Sequence, residues 1–195
     1  AGGSAAQYFV GQWDGKVFTC KHTDTRWMDY GKDHYATVSF SNAPDGRRTV
    51  IGWMSNWQYA NQVPTKQFRS ANTIARDLFL YTVKGELYLG SRPAPEYDGI
   101  KSQKKPTVVT LSNEQGEEFV ITYDPKAMTL TVDRSKSGVV DFSADFPVPA
   151  TAPVQRKLTS LRIFIDRCSV EVFGNNGEVC LTSLVFPQST LTLNK

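Results

Sequence analysis

Hydrophobic residues recur at every second position over long parts of this chain. Leu161, Ile163 and Ile165 alternate with Arg162, Phe164 and Asp166, and Val170 and Val172 alternate with Ser169 and Glu171. Met128, Leu130 and Val132 alternate in the same way with Thr129, Thr131 and Asp133. Successive side chains of a strand point to opposite faces, so each run predicts a strand with one face buried in a sheet. Turn signals fall between the runs: Asp45-Gly46, Lys84-Gly85-Glu86, Asp124-Pro125 and Asn176-Gly177. No stretch carries a sustained 3.6-residue apolar stripe with caps. The pattern predicts an all-β chain.

The character of the chain changes near residue 77. Residues 1–76 hold all four tryptophans (Trp13, Trp27, Trp53 and Trp57) and many of the other aromatics. From residue 78 onward Val, Leu, Ile and Thr dominate, with polar loops expected at 91–106 and 134–157. The second segment reads as a two-sheet sandwich whose inward faces supply the alternation. The first has few strands and much aromatic surface, too little to close a domain by itself.

Composition narrows the partners. Of 195 residues, 40% are hydrophobic and 21% charged, with a formal net charge of +3, the balance of a globular protein and not of a disordered one. The bases are scattered, and the densest clusters, Arg47-Arg48 and Lys104-Lys105, extend into no stripe, so a nucleic-acid partner is not expected. Nor is a membrane partner, since no apolar run approaches the roughly 20 residues that span a bilayer. The chain opens on Ala1-Gly2-Gly3-Ser4 and runs at once into strand pattern, without a secretory leader, as a start inside a longer protein does. Three cysteines argue against a disulfide framework. An Asn-Gly hairpin turn at Asn175-Asn176-Gly177 pairs Cys180 with Phe173, far from Cys168, whereas a bridge needs Cα atoms within about 7 Å.

Candidate chemistry is sparse. In Trp53-Met54-Ser55-Asn56-Trp57-Gln58-Tyr59, three aromatics at even spacing are expected to share one strand face, interleaved with Ser, Asn and Gln. That suits a sugar site, where ring C–H faces stack on aromatics and hydroxyls need donors and acceptors; an aromatic core cluster fits equally well. Asp29, within Trp27-Met28-Asp29-Tyr30-Gly31, reads as a sugar-site acid or as a turn Asp, and Asp14-Gly15 looks like a hairpin turn. Acids are plentiful, but no spacing nominates the pair of carboxyls that glycoside hydrolysis commonly needs. His22 and His34 lack a ligand pattern for a metal, and there is no phosphate loop or nucleophile elbow, so no metal and no cofactor are expected.

Three stretches in order resemble glycoside hydrolase family 32, the invertases, inulinases and levanases. The first is Gln7-Tyr8-Phe9-Val10-Gly11-Gln12-Trp13-Asp14-Gly15 with Asp29-Tyr30-Gly31-Lys32-Asp33-His34-Tyr35-Ala36. The second is Ile51-Gly52-Trp53-Met54-Ser55-Asn56-Trp57-Gln58-Tyr59 with Val63-Pro64-Thr65 and Arg76. The third runs from Leu161-Arg162-Ile163-Phe164-Ile165-Asp166 through Ser169-Val170-Glu171-Val172-Phe173 and Gly177-Glu178 to Leu184-Val185-Phe186-Pro187. The resemblance implies the end of a five-bladed β-propeller over residues 1–76 (the close of a fourth blade and most of a fifth), then a C-terminal β-sandwich over 78–195. It implies a retaining β-fructofuranosidase of extracellular or periplasmic location, acting on levan, inulin or sucrose, whose partners are a fructose-containing saccharide and the preceding propeller blades.

The family's nucleophile motif Trp-Met-Asn-Asp-Pro-Asn-Gly, its Arg-Asp-Pro and its Glu-Cys-Pro are absent from this sequence, so no catalytic residue is expected in the chain. Trp27-Met28-Asp29 and Arg76-Asp77-Leu78 imitate two of them only superficially. The substrate contacts that the resemblance implies are Asp14, Trp57, Trp53 and Asp29. His34 departs from the family, standing where Phe or Tyr is common. So does Lys66-Gln67-Phe68-Arg69-Ser70, in place of Trp-Arg-Gly or Trp-Arg-Ser. A free-standing fructan-binding module and a purely structural sandwich are the competing readings.

Overall fold

The computed structural model describes residues 3–97, 102–104 and 107–193; Ala1 and Gly2 of the opening and Lys105 of the Lys104-Lys105 pair lie outside them. All regular structure among these residues is strand, apart from two single 3-10 turns. The chain starts with a hairpin of β1 (Gly11–Trp13) and β2 (Phe18–Cys20). A second sheet follows, in the order β3 (Tyr35–Ser39), β4 (Thr49–Met54), β6 (Arg76–Val83), β7 (Glu86–Pro93), with β5 (Ala71–Asn72) paired to the far end of β4.

The remainder is a sandwich. One sheet runs β12 (Ala150–Pro153), β11 (Thr129–Lys136), β10 (Glu118–Asp124), β9 (Val108–Ser112), β16 (Thr192–Leu193). The other runs β15 (Val179–Leu184), β14 (Ser169–Gly174), β13 (Ser160–Ile165), β8 (Ser102–Lys104). Its core is the alternation read in the sequence: Leu130, Val132, Leu161, Ile163, Val170 and Val172 meet Leu111, Phe119, Ile121 and Leu181. The Asn175–Gly177 turn, with Asn175, Asn176 and Gly177 all at positive φ, sets Phe173 opposite Cys180 as expected, and the three cysteines are free.

Two expectations need correction. The boundary at residue 77 falls inside β6, whose first residues pair with β4 (Thr49 with Asp77, Val50 with Arg76), so the aromatic-rich sheet extends to Pro93. The change in composition marks where strands become aliphatic, not where one sheet ends. Part of the loop expected at 91–106 is likewise the end of β7 and the strand β8. The second correction concerns β14 and β15, which are buried on both faces. Their outer face, where alternation placed Glu171 in solvent, is covered by the first segment.

That cover is built from two carboxylates. Strand β15 is an edge strand, and an unpaired edge exposes backbone N–H and C=O groups. Residues 29–33 run along it. Tyr30 and Asp33 donate N–H bonds to the carbonyls of Cys180 and Thr182 (2.8 and 3.2 Å). In return the carboxylate of Asp29 accepts from Thr182 N–H (2.9 Å) and that of Asp33 from Leu184 N–H (2.8 Å). Gly31 is required at this approach, because a Cβ there would lie 2.1–2.2 Å from the Thr182 backbone. Each carboxylate has its own guanidinium: Arg76 bonds Asp29 (2.8 Å), Glu171 (2.6 Å) and the Thr182 hydroxyl (2.6 Å). Arg134 bonds Asp33, the Leu184 carbonyl and the Tyr59 hydroxyl. Apolar contacts close around both, with Met54, Tyr59 and Val63 against Phe146, Leu184 and Phe186, and Ile74 against Phe164 and Phe173.

Removing one partner of a buried pair leaves an uncompensated charge, at about 3–5 kcal/mol. Arg76→Met is therefore expected to lower the melting temperature steeply. Glu96→Ala, which breaks the exposed Arg47–Glu96 pair, is expected to leave it nearly unchanged. Equal shifts in thermal unfolding for the two variants would refute a special role for the buried cluster.

Candidate functional site

Strand β4 ends at Met54 and the chain turns sharply. The Asn56 side chain makes the turn: its Oδ1 accepts the Gln58 N–H (3.0 Å) while its Nδ2 donates to the Lys32 carbonyl (2.8 Å). Trp57 N–H donates to Ser4 Oγ (3.0 Å), which fixes the residue at the crest. The Trp57 side chain is thereby held outward and the residue is 65% exposed. Its ring lies 5.1 Å from that of half-buried Trp53, tilted by 45°, and Tyr35 meets Trp53 edge-on at 6.3 Å. Asn72, exposed on β5, pairs with Trp53 in register. Trp53 thus has Tyr35 and Trp57 beside its ring and exposed Asn72 across from it in register. The expected shared strand face is not formed, because β4 stops at Met54 and both Trp57 and Tyr59 lie in the turn beyond it; Tyr59 faces inward, 1% exposed, and donates its hydroxyl to Asp33 (2.7 Å). The turn after Met54 breaks the period of two, so the spacing separates a surface pair of tryptophans from a core tyrosine.

Asp14 stands on the β1–β2 turn. One carboxylate oxygen accepts the N–H groups of Lys16 (2.8 Å) and Val17 (2.7 Å), with Gly15 at φ +99°. Those backbone bonds hold its pKa below the usual carboxylate range. The residue is exposed, and among the described residues no hydrogen bond or ring contact joins it to the tryptophan pair.

Asp29 is placed elsewhere than expected. It is 0% exposed and both oxygens are taken by Gly31, Thr182 and Arg76, so it is an internal ion-pair partner and not a residue at a sugar-binding mouth. Burial alone would push its pKa up; Arg76, His34 and the Thr182 hydroxyl outweigh that and hold it low. Burial pushes Glu171 up, with Arg76 offsetting only part. His34, also 0% exposed, is depressed to about 4 by burial and by the Arg76 charge, against the pull of Asp29 with its Oδ2 3.9 Å from Nδ1. Tyr35 and Asn72 are the neighbours that spacing missed, because both reach Trp53 across strands and not along the chain.

The family described as Glycosyl hydrolases family 32 C terminal matches residues 37–194. The chain belongs to glycoside hydrolase family 32. Members of this family hydrolyse O-glycosyl bonds. A levanase of Bacillus subtilis is 36% identical over 96% of this chain and 34% of its own length. An extracellular exo-inulinase of Aspergillus awamori is 33% identical over 96% of this chain and 44% of its own. The crystal structure of exo-inulinase from Aspergillus awamori superposes with a TM-score of 0.82 at 29% identity, covering 96% of this chain and 47% of that one. A fructofuranosidase from Schwanniomyces occidentalis complexed with fructose has the same fold, with a TM-score of 0.76 at 24% identity and coverage of 96% and 48%. The chain thus spans between a third and a half of these family 32 relatives. No helix among the described residues is long and apolar enough to cross a membrane.

His34 gives the seam a pH dependence whose sign follows from its depressed pKa. The stability it contributes is present in full above the ordinary value of 6.5 and is lost as pH falls toward about 4. At about 1.4 kcal/mol per unit the loss reaches about 3 kcal/mol. Glu171, raised by burial, titrates in the opposite sense, so the readout is a difference: the stability gap between the native chain and His34→Phe is expected to change between pH 6.5 and 4. A gap constant across that window would contradict the assignment.

Proposed function

We propose that this chain is the C-terminal part of a β-fructofuranosidase-type hydrolase that cleaves levan, inulin or sucrose outside the cell or in the periplasm. In this reading residues up to about 93 complete a β-propeller, and the sandwich braces its last sheet. The carboxylates that break the glycosidic bond belong to the preceding part of the parent protein. The exposed apolar side chains Phe9, Trp13, Val17 and Phe18 around the β1–β2 hairpin support this, as an apolar surface awaiting neighbouring strands.

The observation that carries the substrate reading is the Trp53–Trp57 pair, one ring largely in solvent and exposed Asn72 in register with the other. A fructosyl unit stacks its C–H face on Trp57, and Asn72, exposed on β5, meets its hydroxyls. Asp14, with one oxygen engaged in its turn and the residue exposed, has the other available for a sugar hydroxyl beyond the cleaved linkage. The chain itself binds without turnover.

Two outcomes test this. The chain alone is expected to release no fructose from sucrose, inulin or levan above a boiled control, because removing groups that act as a unit abolishes most activity. In the full-length parent, Trp57→Ala is expected to cut kcat/KM by roughly ten- to hundredfold. Its melting temperature should barely change, since an exposed ring contributes little to the core. A fully buried Trp would instead cost about 3–5 kcal/mol on truncation. Normal kcat/KM in Trp57→Ala would remove Trp57 from the site.

A further inference from the structure

Strand β3 is irregular next to the tryptophan pair. Tyr35 is opposite Trp53 and Val38 opposite Ile51, so β3 takes three steps where β4 takes two. One residue is extra, and Ala36 carries the strain at φ +46°, a left-handed conformation rare for a residue with a Cβ. Bulges of this kind bend a strand and re-aim a side chain. Here the re-aimed residue is Tyr35, whose ring meets Trp53 edge-on, and Trp53 in turn meets Trp57.

The bulge has a clasp. His34 Nε2 and Thr37 Oγ1 are 2.8 Å apart, bridging the irregular residues from one side to the other. The imidazole is fully buried and lies against Gly52, where a Cβ would come within 2.7–3.0 Å of three ring atoms. On its other side the Gly52 peptide is pinned by Thr73, which accepts the Gly52 N–H on Oγ1 (3.0 Å) and donates its own N–H to the Gly52 carbonyl (3.0 Å). Gly52 immediately precedes Trp53. The same imidazole therefore touches both strands that present the aromatic surface. A Phe in its place could not hold the Thr37 hydroxyl.

We propose that His34 and Thr37 are positioning residues for fructan binding: their hydrogen bond holds the β3 bulge in the shape that sets Tyr35, Trp53 and Trp57 as one stacking surface for a fructosyl chain. This rests on the reading of that surface as the saccharide site. Neither residue touches substrate. Losing the clasp lets the bulge relax, so the surface samples several arrangements and binds more weakly, while the reacting groups, on other elements, are undisturbed.

The test uses the full-length hydrolase and a levan or inulin oligosaccharide. Thr37→Val keeps the shape and deletes the hydroxyl; His34→Phe keeps a ring and deletes the nitrogen; Thr37→Ser keeps the hydroxyl. One hydrogen bond corresponds to a roughly three- to tenfold rise in KM for Thr37→Val and for His34→Phe, with kcat close to that of the native enzyme. The double variant is expected to be no worse than the weaker-binding single variant, since both delete one bond, and Thr37→Ser is expected to restore the native KM. If Trp57→Ala lowers kcat/KM while Thr37→Val leaves KM unchanged, or if Thr37→Ser and Thr37→Val bind equally weakly, the positioning role is wrong and the saccharide surface stands. If Trp57→Ala leaves kcat/KM unchanged, the surface and the clasp fall together.

Discussion

Strand β15 ends its sheet with N–H groups that no neighbouring strand reaches, and Asp29 and Asp33 supply the acceptors. The two carboxylates are four residues apart on a segment lying along the strand, and they serve Thr182 and Leu184, two residues apart. Charge cannot be buried this way unpaired, so each carboxylate brings a guanidinium inward with it. Arg76 comes from β6 and Arg134 from β11, which means that strands of three different sheets converge on one edge. The placing of the first segment on the sandwich, the burial of β14 and β15 on both faces, and the inward turn of Tyr59 all depend on it.

Such clusters contribute little net stability, because desolvation offsets most of the attraction between the charges. Their value here is registry. An apolar seam made only of Met54, Val63, Phe146 and Phe186 would tolerate sliding by a residue, since dispersion contacts are non-directional. Two bidentate demands do not. Shifting residues 29–33 by one position would strand both carboxylates among buried groups and drive a side chain into the space that only Gly31 leaves open. The apolar contacts supply adhesion and the ion pairs select the single register in which it happens.

The sandwich was legible because its strands bury one face against a partner sheet, and a period of two is the direct signature of that arrangement. Leu130, Val132, Leu161, Ile163, Val170 and Val172 are all core, and the Asn-Gly turn set the register of Cys180. Alternation is silent, however, about what covers the other face. Glu171 reads as solvent-facing, and with Thr182 it is buried by a segment some 95 to 150 residues away in sequence. Asp29 failed as a site residue for the same reason: an acid beside aromatics has the same local sequence whether it faces a sugar or an arginine. The tryptophan pair was found by composition, but its geometry came from a turn at Asn56, which no spacing rule anticipates. Asp14 is the intermediate case, since the turn it was expected to build is present and leaves its outer oxygen unassigned.

The segment that covers β15 is also the one that launches β3. Asp29 and Asp33 are fixed on the sandwich edge, His34 follows at once, and Tyr35 begins the strand facing Trp53. With only one residue between the anchored Asp33 and Tyr35, there is no slack in which a displacement could be absorbed. Arg76 tightens the same link from the other end: it bonds Asp29 and sits in register with Val50, two residues before Gly52. The edge of the sandwich and the aromatic surface are thus the two ends of one short stretch of chain anchored at both Asp29 and Asp33. The sandwich can therefore govern the shape of that surface, because the position of Tyr35 is set by where Thr182 and Leu184 hold the two carboxylates.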